Sequence, residues 1–183
     1  NLRNFPIKYN SKKVIVKPIL KKEIYNLEKN ISNLKKEIKK ILIIGGSQGA
    51  SFFDENITEL IIEISKKRNF EVIQQISNIN NLSSIKNKYE KSNINYKFIE
   101  FTNDSHELYN GIDLAITRGG ASTLSELSFL NIPFISIPLP SARDNHQFYN
   151  SEFYYKKNCC WLIKQNEFEF KKFSKMIFDL FND

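Results

Sequence analysis

Cysteine is almost missing from this chain: two occur in 183 residues, and they are neighbours, Cys159 and Cys160. Adjacent cysteines pair only in strained geometry, and no second pair supplies metal spacing, so a disulfide framework and a zinc site are both excluded. Two reduced thiols in a half-buried strand are the expectation, in keeping with a reducing, cytosolic setting. Histidine is equally scarce. His106 and His146 lie far apart in sequence, and neither belongs to a Cys or Asp pattern of ligand type, so no metal is expected. No apolar run approaches the ~20 residues of a membrane span. The start, Asn1-Leu2-Arg3-Asn4, has no apolar core after its charge and is not a secretory signal. An initiator Met is absent too, which makes a piece of a longer protein the expectation. Missing motifs narrow the chemistry further. No Lys follows Gly49, so its loop is not the phosphate loop of nucleoside triphosphatases. The glycines at 45, 46 and 49 do not spell the dinucleotide G-x-G-x-x-G.

What is present is ordinary for a globular domain: 41% hydrophobic and 26% charged residues, enough for one well-packed domain or two very small ones. The formal charge of +7 is unevenly spread. Residues 1–40 hold twelve Lys/Arg and three Glu, while the remainder is slightly acidic. Such a basic segment suits an anionic lipid surface or is simply a solvated, Lys-rich helix. It has no zinc knuckle, helix-turn-helix or glycine-aromatic run, so nucleic acid is not an expected partner.

Periodicity orders the chain. "KVIVKPIL" (Lys13 to Leu20) reads as a short strand stopped by Pro18. Ile24, Leu27, Ile31, Leu34 and Ile38 step by three and four, which predicts an amphipathic helix from Lys21 to about Lys40. "KILIIGG" is a buried strand, and Ile57, Leu60, Ile61 and Ile64 mark the next helix. "FEVIQQIS", "NYKFIEFT", "GIDLAIT", "PFISIPLP" and "CCWLIK" read as strands. Helices are expected over residues 80–93, His106–Asn110, "ASTLSELSFLN", Asp144–Lys157 and Glu167–Phe181. In the last of these Phe170, Phe173, Ile177 and Leu180 share a face. Alternating strands and helices call for an α/β fold, a parallel sheet with helices on both faces joined by right-handed crossovers. Ligands of such sheets sit beyond the carboxyl ends of the strands, so the loops after Ile44, Phe101, Thr117 and Pro138 should gather on one edge.

Three of those loops carry chemistry. Gly45-Gly46-Ser47-Gln48-Gly49-Ala50 lets backbone N–H groups approach an anion ahead of a helix, or is a tight turn alone. "TRGGASTLSEL" (Thr117 to Leu127) opens a second helix. Ser122 and Thr123 sit in its first turn, and Glu126 lies one turn on, on the same face as Ser122. A carboxylate there would repel phosphate but suits the paired hydroxyls of a ribose, or is a first-turn acid favoured by the helix dipole. Arg118 is a ligand contact or a surface charge. "SARDNHQFYN" is dense in the planar donors and acceptors that read sugars: Asp144, Asn145, His146, Gln147 and Asn150. His146 by itself reads equally as a cap or surface histidine.

"GGSQGA", "TRGGASTLSEL" and "DNHQFYN" resemble, in order and spacing, the C-terminal half of the MurG family of bacterial N-acetylglucosaminyltransferases, over roughly residues 41–165. The resemblance implies the C-terminal domain of a glycosyltransferase-B fold, two Rossmann-like domains facing across a cleft. Residues 41–183 would then be the UDP-sugar-binding unit, and 1–40 a lead-in strand and basic helix near the inter-domain junction. It implies transfer of GlcNAc from UDP-GlcNAc to the muramyl 4-hydroxyl of lipid I, with inversion and without an essential metal or other cofactor. The product is lipid II for peptidoglycan synthesis, made at the cytoplasmic face of the bacterial inner membrane.

By position, Ser47 and the backbone around Gly46 and Gln48 match the diphosphate or sugar side of the donor. Thr102 matches the main-chain partner of uracil, and Arg118 an arginine near the base. Ala121, Ser122 and Thr123 match the helix start facing the diphosphate, and Glu126 the ribose carboxylate. His146, Gln147 and Asn150 match groups that read GlcNAc or brace its pocket. The general base and the lipid I site would belong to the N-terminal domain, absent here, so no catalytic residue is assigned. The family's Gly-Asn-Pro-Val-Arg is replaced by Val16-Lys17-Pro18-Ile19-Leu20, with Lys17 or Lys21 as substitute cations. Two alternatives are a donor subunit completed by a separate membrane protein, as in the eukaryotic dolichol-linked enzyme, and a nucleotide-sugar-binding module without turnover.

Overall fold

The computed structural model describes residues 18–27, 38–46, 51–76, 78–92, 94–99 and 108–182. Six strands form one sheet: β1 (Lys40–Ile44), β2 (Glu71–Gln75), β3 (Asn95–Ile99), β4 (Leu114–Thr117), β5 (Phe134–Ser136) and β6 (Cys160–Leu162). Their order is β3-β2-β1-β4-β5-β6, and every pairing is parallel. The chain winds outward from β1 to β3, returns to the centre, and winds the other way from β4 to β6. β1 and β4 are hydrogen-bonded neighbours, with Ile41 opposite Leu114 and Ile44 opposite Thr117. The connections leaving their carboxyl ends diverge to opposite sides, which opens a crevice between them.

Strand alternation assigns each residue to a face. Ile41, Ile43, Val72, Leu114, Ile116 and Ile135 point to one core. It is covered by α2 (Thr58–Ser65), α3 (Ile79–Lys91) and α6 (Phe170–Leu180), through Leu60, Ile61, Ile64, Ile85, Tyr89, Phe173 and Ile177. Leu42, Ile73, Ala115, Phe134 and Cys160 point to the other core. There they meet Ile24 of α1 (Lys22–Tyr25), Leu124 and Leu127 of α4 (Ala121–Phe129), and Tyr154 of α5 (His146–Tyr155). Each fully buried Ile or Leu contributes roughly 1.5–3 kcal/mol relative to exposure. The sheet, its two-sided cover and the places of these six strands match the sequence reading. Both cysteines are free thiols. Cys160 is buried against α5, which pushes its thiol up to about 12, and Cys159 is exposed.

Several boundaries differ. α1 covers one turn only, and Ile38 and Lys39 already lead into β1; residues 28–37 lie outside the described set. The Asp113 carboxylate accepts bonds from the N–H groups of Lys39 and Lys40, which holds this stretch extended. Of the strand expected over Lys13–Leu20, residues 13–17 lie outside the described set and Pro18–Leu20 form no strand. Leu108 and Tyr109 form a 3₁₀ turn in place of the helix expected there; residues 101–107 are not described. The helix expected from Asp144 starts at His146, because Asp144 and Asn145 are both left-handed (φ 51°). Asp and Asn are the side chains that tolerate that region best. α6 starts at Phe170, three residues later than expected, and Phe170 is exposed while Phe173 and Ile177 fill the core.

Candidate functional site

The carboxyl edge of the sheet gathers the loops after β1, β4 and β5. Gly46 ends the described part of the first. It takes φ +70°, a conformation glycine adopts without strain, and its N–H donates to Gln75 Oε1 at the end of β2 (3.1 Å). Ser47, Gln48 and Thr102 lie outside the described residues. Beyond the glycine loop the helix widens into a π-helical stretch, Phe53–Ile57, that turns Phe53 and Asp54 inward. Such widenings often stand beside functional sites. Burial holds the Asp54 carboxyl above its ordinary range, although Asn81 Nδ2 donates to Oδ2 (3.0 Å). A buried chain runs alongside: the Tyr89 hydroxyl donates to Gln74 Oε1, and Gln74 Nε2 to Thr58 Oγ1 (3.2 Å).

The loop after β4 is the centre of the edge. The N–H of Arg118 donates to Ile44 O (3.3 Å), tying it to the end of β1. The Arg118 side chain is not a surface charge. It is buried, and its Nη1 donates to Ile137 O (3.1 Å) and Gln165 Oε1 (2.7 Å). Its guanidinium lies over the rings of Phe53 (4.6 Å) and Phe52 (5.5 Å). Burial pulls its pKa down to about 10, so it stays charged at neutral pH. One side chain thereby joins the segments after β1, β4, β5 and β6.

Gly119 and Gly120 follow. A Cβ on Gly119 would lie 2.2 Å from Gln147 O and 2.7 Å from Ser151 Oγ, so α5 packs directly onto this backbone. Gly120 is the N-cap of α4 and supplies no side-chain cap. The first-turn N–H groups of Ala121, Ser122 and Thr123 therefore have no capping side chain, and Ala121 and Ser122 are exposed. Those groups and the positive end of the helix dipole favour an anion. One turn on, Glu126 is buried, and its Oε2 accepts the hydroxyl of Tyr109 at 2.6 Å.

The α5 side is braced onto the same loop. Gln147 Oε1 accepts from Gly119 N (3.2 Å) and from Leu139 N after β5 (3.0 Å). Two N–H donors fix that atom as the oxygen and leave the amide NH₂ as the donor Gln147 can offer a ligand. Asn150 Nδ2 donates to Gly119 O (3.0 Å). His146 is exposed, and its Nδ1 donates to Arg143 O (2.7 Å), which places the acceptor of the neutral ring on Nε2. The structure thus brings Gly46, Arg118, Ala121–Thr123, Glu126, His146, Gln147 and Asn150 to one edge. Sequence reasoning missed Tyr109, Gln75, Phe53 and Gln165. Gln165 carried a usable signal, since it follows β6 on the edge where the other loops end; Tyr109 carried none.

Comparison with known proteins identifies the family and the fold. Residues 40–183 match the glycosyltransferase family 28 C-terminal domain. The chain is 42% identical over 171 residues to the UDP-N-acetylglucosamine–N-acetylmuramyl-(pentapeptide) pyrophosphoryl-undecaprenol N-acetylglucosamine transferase of Pelagibacter ubique, covering 93% of this chain and 47% of that protein. To the transferase of the same name from Rickettsia bellii it is 37% identical over 187 residues, covering 100% of this chain and 52% of that one. The chain spans about half the length of the curated relatives it matches. Among solved structures, Acinetobacter baumannii MurG superposes with a TM-score of 0.71 at 23% identity, over 96% of this chain and 50% of that one. The glycosyltransferase VinC, solved with dTDP, superposes with a TM-score of 0.57 at 10% identity, over 89% and 36%. The expected glycosyltransferase fold is thereby found.

Proposed function

This chain belongs to the glycosyltransferase family 28 C-terminal domain family, and from that premise we propose that it is the donor-binding half of an inverting N-acetylglucosaminyltransferase. It takes UDP-GlcNAc and serves transfer of GlcNAc to the muramyl sugar of lipid I, giving lipid II, as the names of its relatives suggest. One observation carries the reading. At the crevice between β1 and β4, a single helix pairs an open first turn with a carboxylate one turn further in. An anion seat followed by a diol seat is the order of groups in a nucleoside diphosphate.

In this reading the N–H groups of Ala121, Ser122 and Thr123, with Ser47 and the backbone of Gly46 and Gln48, hold the diphosphate. They stabilise the charge that grows on UDP as the glycosidic bond breaks, with no metal required. Glu126 grips the ribose and Thr102 faces uracil. Arg118 acts near the base by fixing the loops around it. His146, Gln147 and Asn150 brace and read the GlcNAc pocket. Residues 41–183 form the nucleotide-sugar unit, and 1–40 lead from the inter-domain junction. The acceptor site and the general base lie in the half of the relatives that this chain does not match.

Among the described residues no helix is long and apolar enough to cross a membrane. Peripheral attachment at the cytoplasmic face of the inner membrane, with the basic segment meeting anionic lipid, completes the proposal. The protein that carries this chain, given UDP-GlcNAc and lipid I, is expected to transfer one GlcNAc per UDP released, with the rate unchanged by EDTA. Hydrolysis of UDP-GlcNAc without transfer, or an absolute requirement for a divalent cation, would contradict it.

A further inference from the structure

We propose that Tyr109 is a positioning residue for the nucleotide: its hydroxyl locks the Glu126 carboxylate so that one oxygen is presented to the donor ribose. The inference rests on the reading of Glu126 as the ribose carboxylate. The Tyr109 hydroxyl donates to Glu126 Oε2 at 2.6 Å, and both residues are buried, at 3% and 5% exposure. With Oε2 taken, Oε1 is the oxygen left to accept from a vicinal diol. A glutamate side chain has three rotatable bonds, and an unheld one loses that freedom when a ligand binds. A bond to a charged group within a buried setting removes that cost in advance.

The ring does not need the hydroxyl to stay in place. It packs in the apolar cluster of Leu42, Ile112, Leu124 and Leu127. The turn around it is set by backbone: Ile112 N donates to Tyr109 O (3.4 Å), and Gly111 takes φ +70°. Removing the oxygen alone therefore leaves the fold and frees the carboxylate. Tyr109 also lies in the same β3–β4 connection as Thr102, the position matched to uracil.

The test is titration of the protein that carries this chain with UDP and with 2′-deoxy-UDP, for wild type, Tyr109→Phe, Glu126→Ala and the double variant. Thermal denaturation confirms that each variant folds. Wild type is expected to prefer UDP by about tenfold. Tyr109→Phe should weaken UDP about five- to tenfold and 2′-deoxy-UDP less than twofold, and should add nothing in the Glu126→Ala background. Equal losses for both nucleotides, or the same loss in both backgrounds, would make Tyr109 merely structural and overturn the proposal. A wild type indifferent to the 2′-hydroxyl would overturn the ribose reading of Glu126 itself, and the proposal with it.

Discussion

Gly119→Ala is expected to destabilise the chain by about 3 kcal/mol and to weaken UDP binding more than tenfold. The added methyl would sit 2.2 Å from the carbonyl oxygen of Gln147, which is backbone inside α5 and cannot swing aside. It would also press on Ser151 Oγ at 2.7 Å, where that hydroxyl shares a buried bond with Ser136 Oγ (2.7 Å). Relief requires moving α5 off the loop, which lengthens the bonds from Gly119 N to Gln147 Oε1 and from Asn150 Nδ2 to Gly119 O. The helix start and the amide cluster would then part, so stability and nucleotide affinity fall together. For a chain of this size the melting temperature should drop roughly 6–12 °C. Gly120→Ala is the control. Its Cβ would meet nothing closer than Thr123 Oγ1 at 3.9 Å, and its backbone is extended, so the cost should stay within about 1 kcal/mol. Equal melting temperatures for the two variants would show that α5 does not press on Gly119.

Arg118→Ala is expected to cost about 3 kcal/mol with no nucleotide present. The substitution removes both Nη1 bonds, leaves Ile137 O without that donor, and empties the space against Phe52 and Phe53. Arg118→Lys should recover about half of the loss. A lysine keeps the charge, but one ammonium cannot reproduce a planar group that bonds two acceptors and stacks on a ring. The measurement is thermal unfolding of each variant without ligand. A full loss of UDP affinity with an unchanged melting temperature would mean that the guanidinium points to the nucleotide and not into the fold.

Much of this architecture is written in local pattern. The short apolar runs at Ile41–Ile44 and Leu114–Thr117 read as buried strands, and their alternation with 3.6-residue patterns calls for parallel pairing. Periodicity carries the expected helix on to Ile38, because Ile38 keeps the helical step while its burial comes from the sheet core it leads into. Tertiary pairing of Lys40 with Glu71 decided that boundary, and no local signal opposes the helix. At Asp144 and Asn145 the polar residues looked like a first helical turn, yet their left-handed backbone delays α5 by two residues.

The loops of the site were legible because glycines and hydroxyls at strand ends are local features. The groups that hold them were not, because each acts across the fold. Gln75 reaches Gly46 from 29 residues away, Tyr109 reaches Glu126 across 17, and Gln165 reaches Arg118 across 47. Periodicity is blind at that range, and the hydroxyl of a core tyrosine reads as packing. Arg118 shows the same limit from the other side: its matched position was visible, but its burial was not.

The central claim is that this chain forms a donor site for a uridine diphosphate sugar. Calorimetric titration of the chain with UDP-GlcNAc, beside UDP, UDP-GalNAc and GDP, with and without EDTA, tests it directly. Binding of the uridine ligands that survives EDTA, exclusion of GDP, and a preference for GlcNAc over GalNAc are the predicted results. Binding of GDP as tight as UDP, or no binding of any of the four, would contradict it.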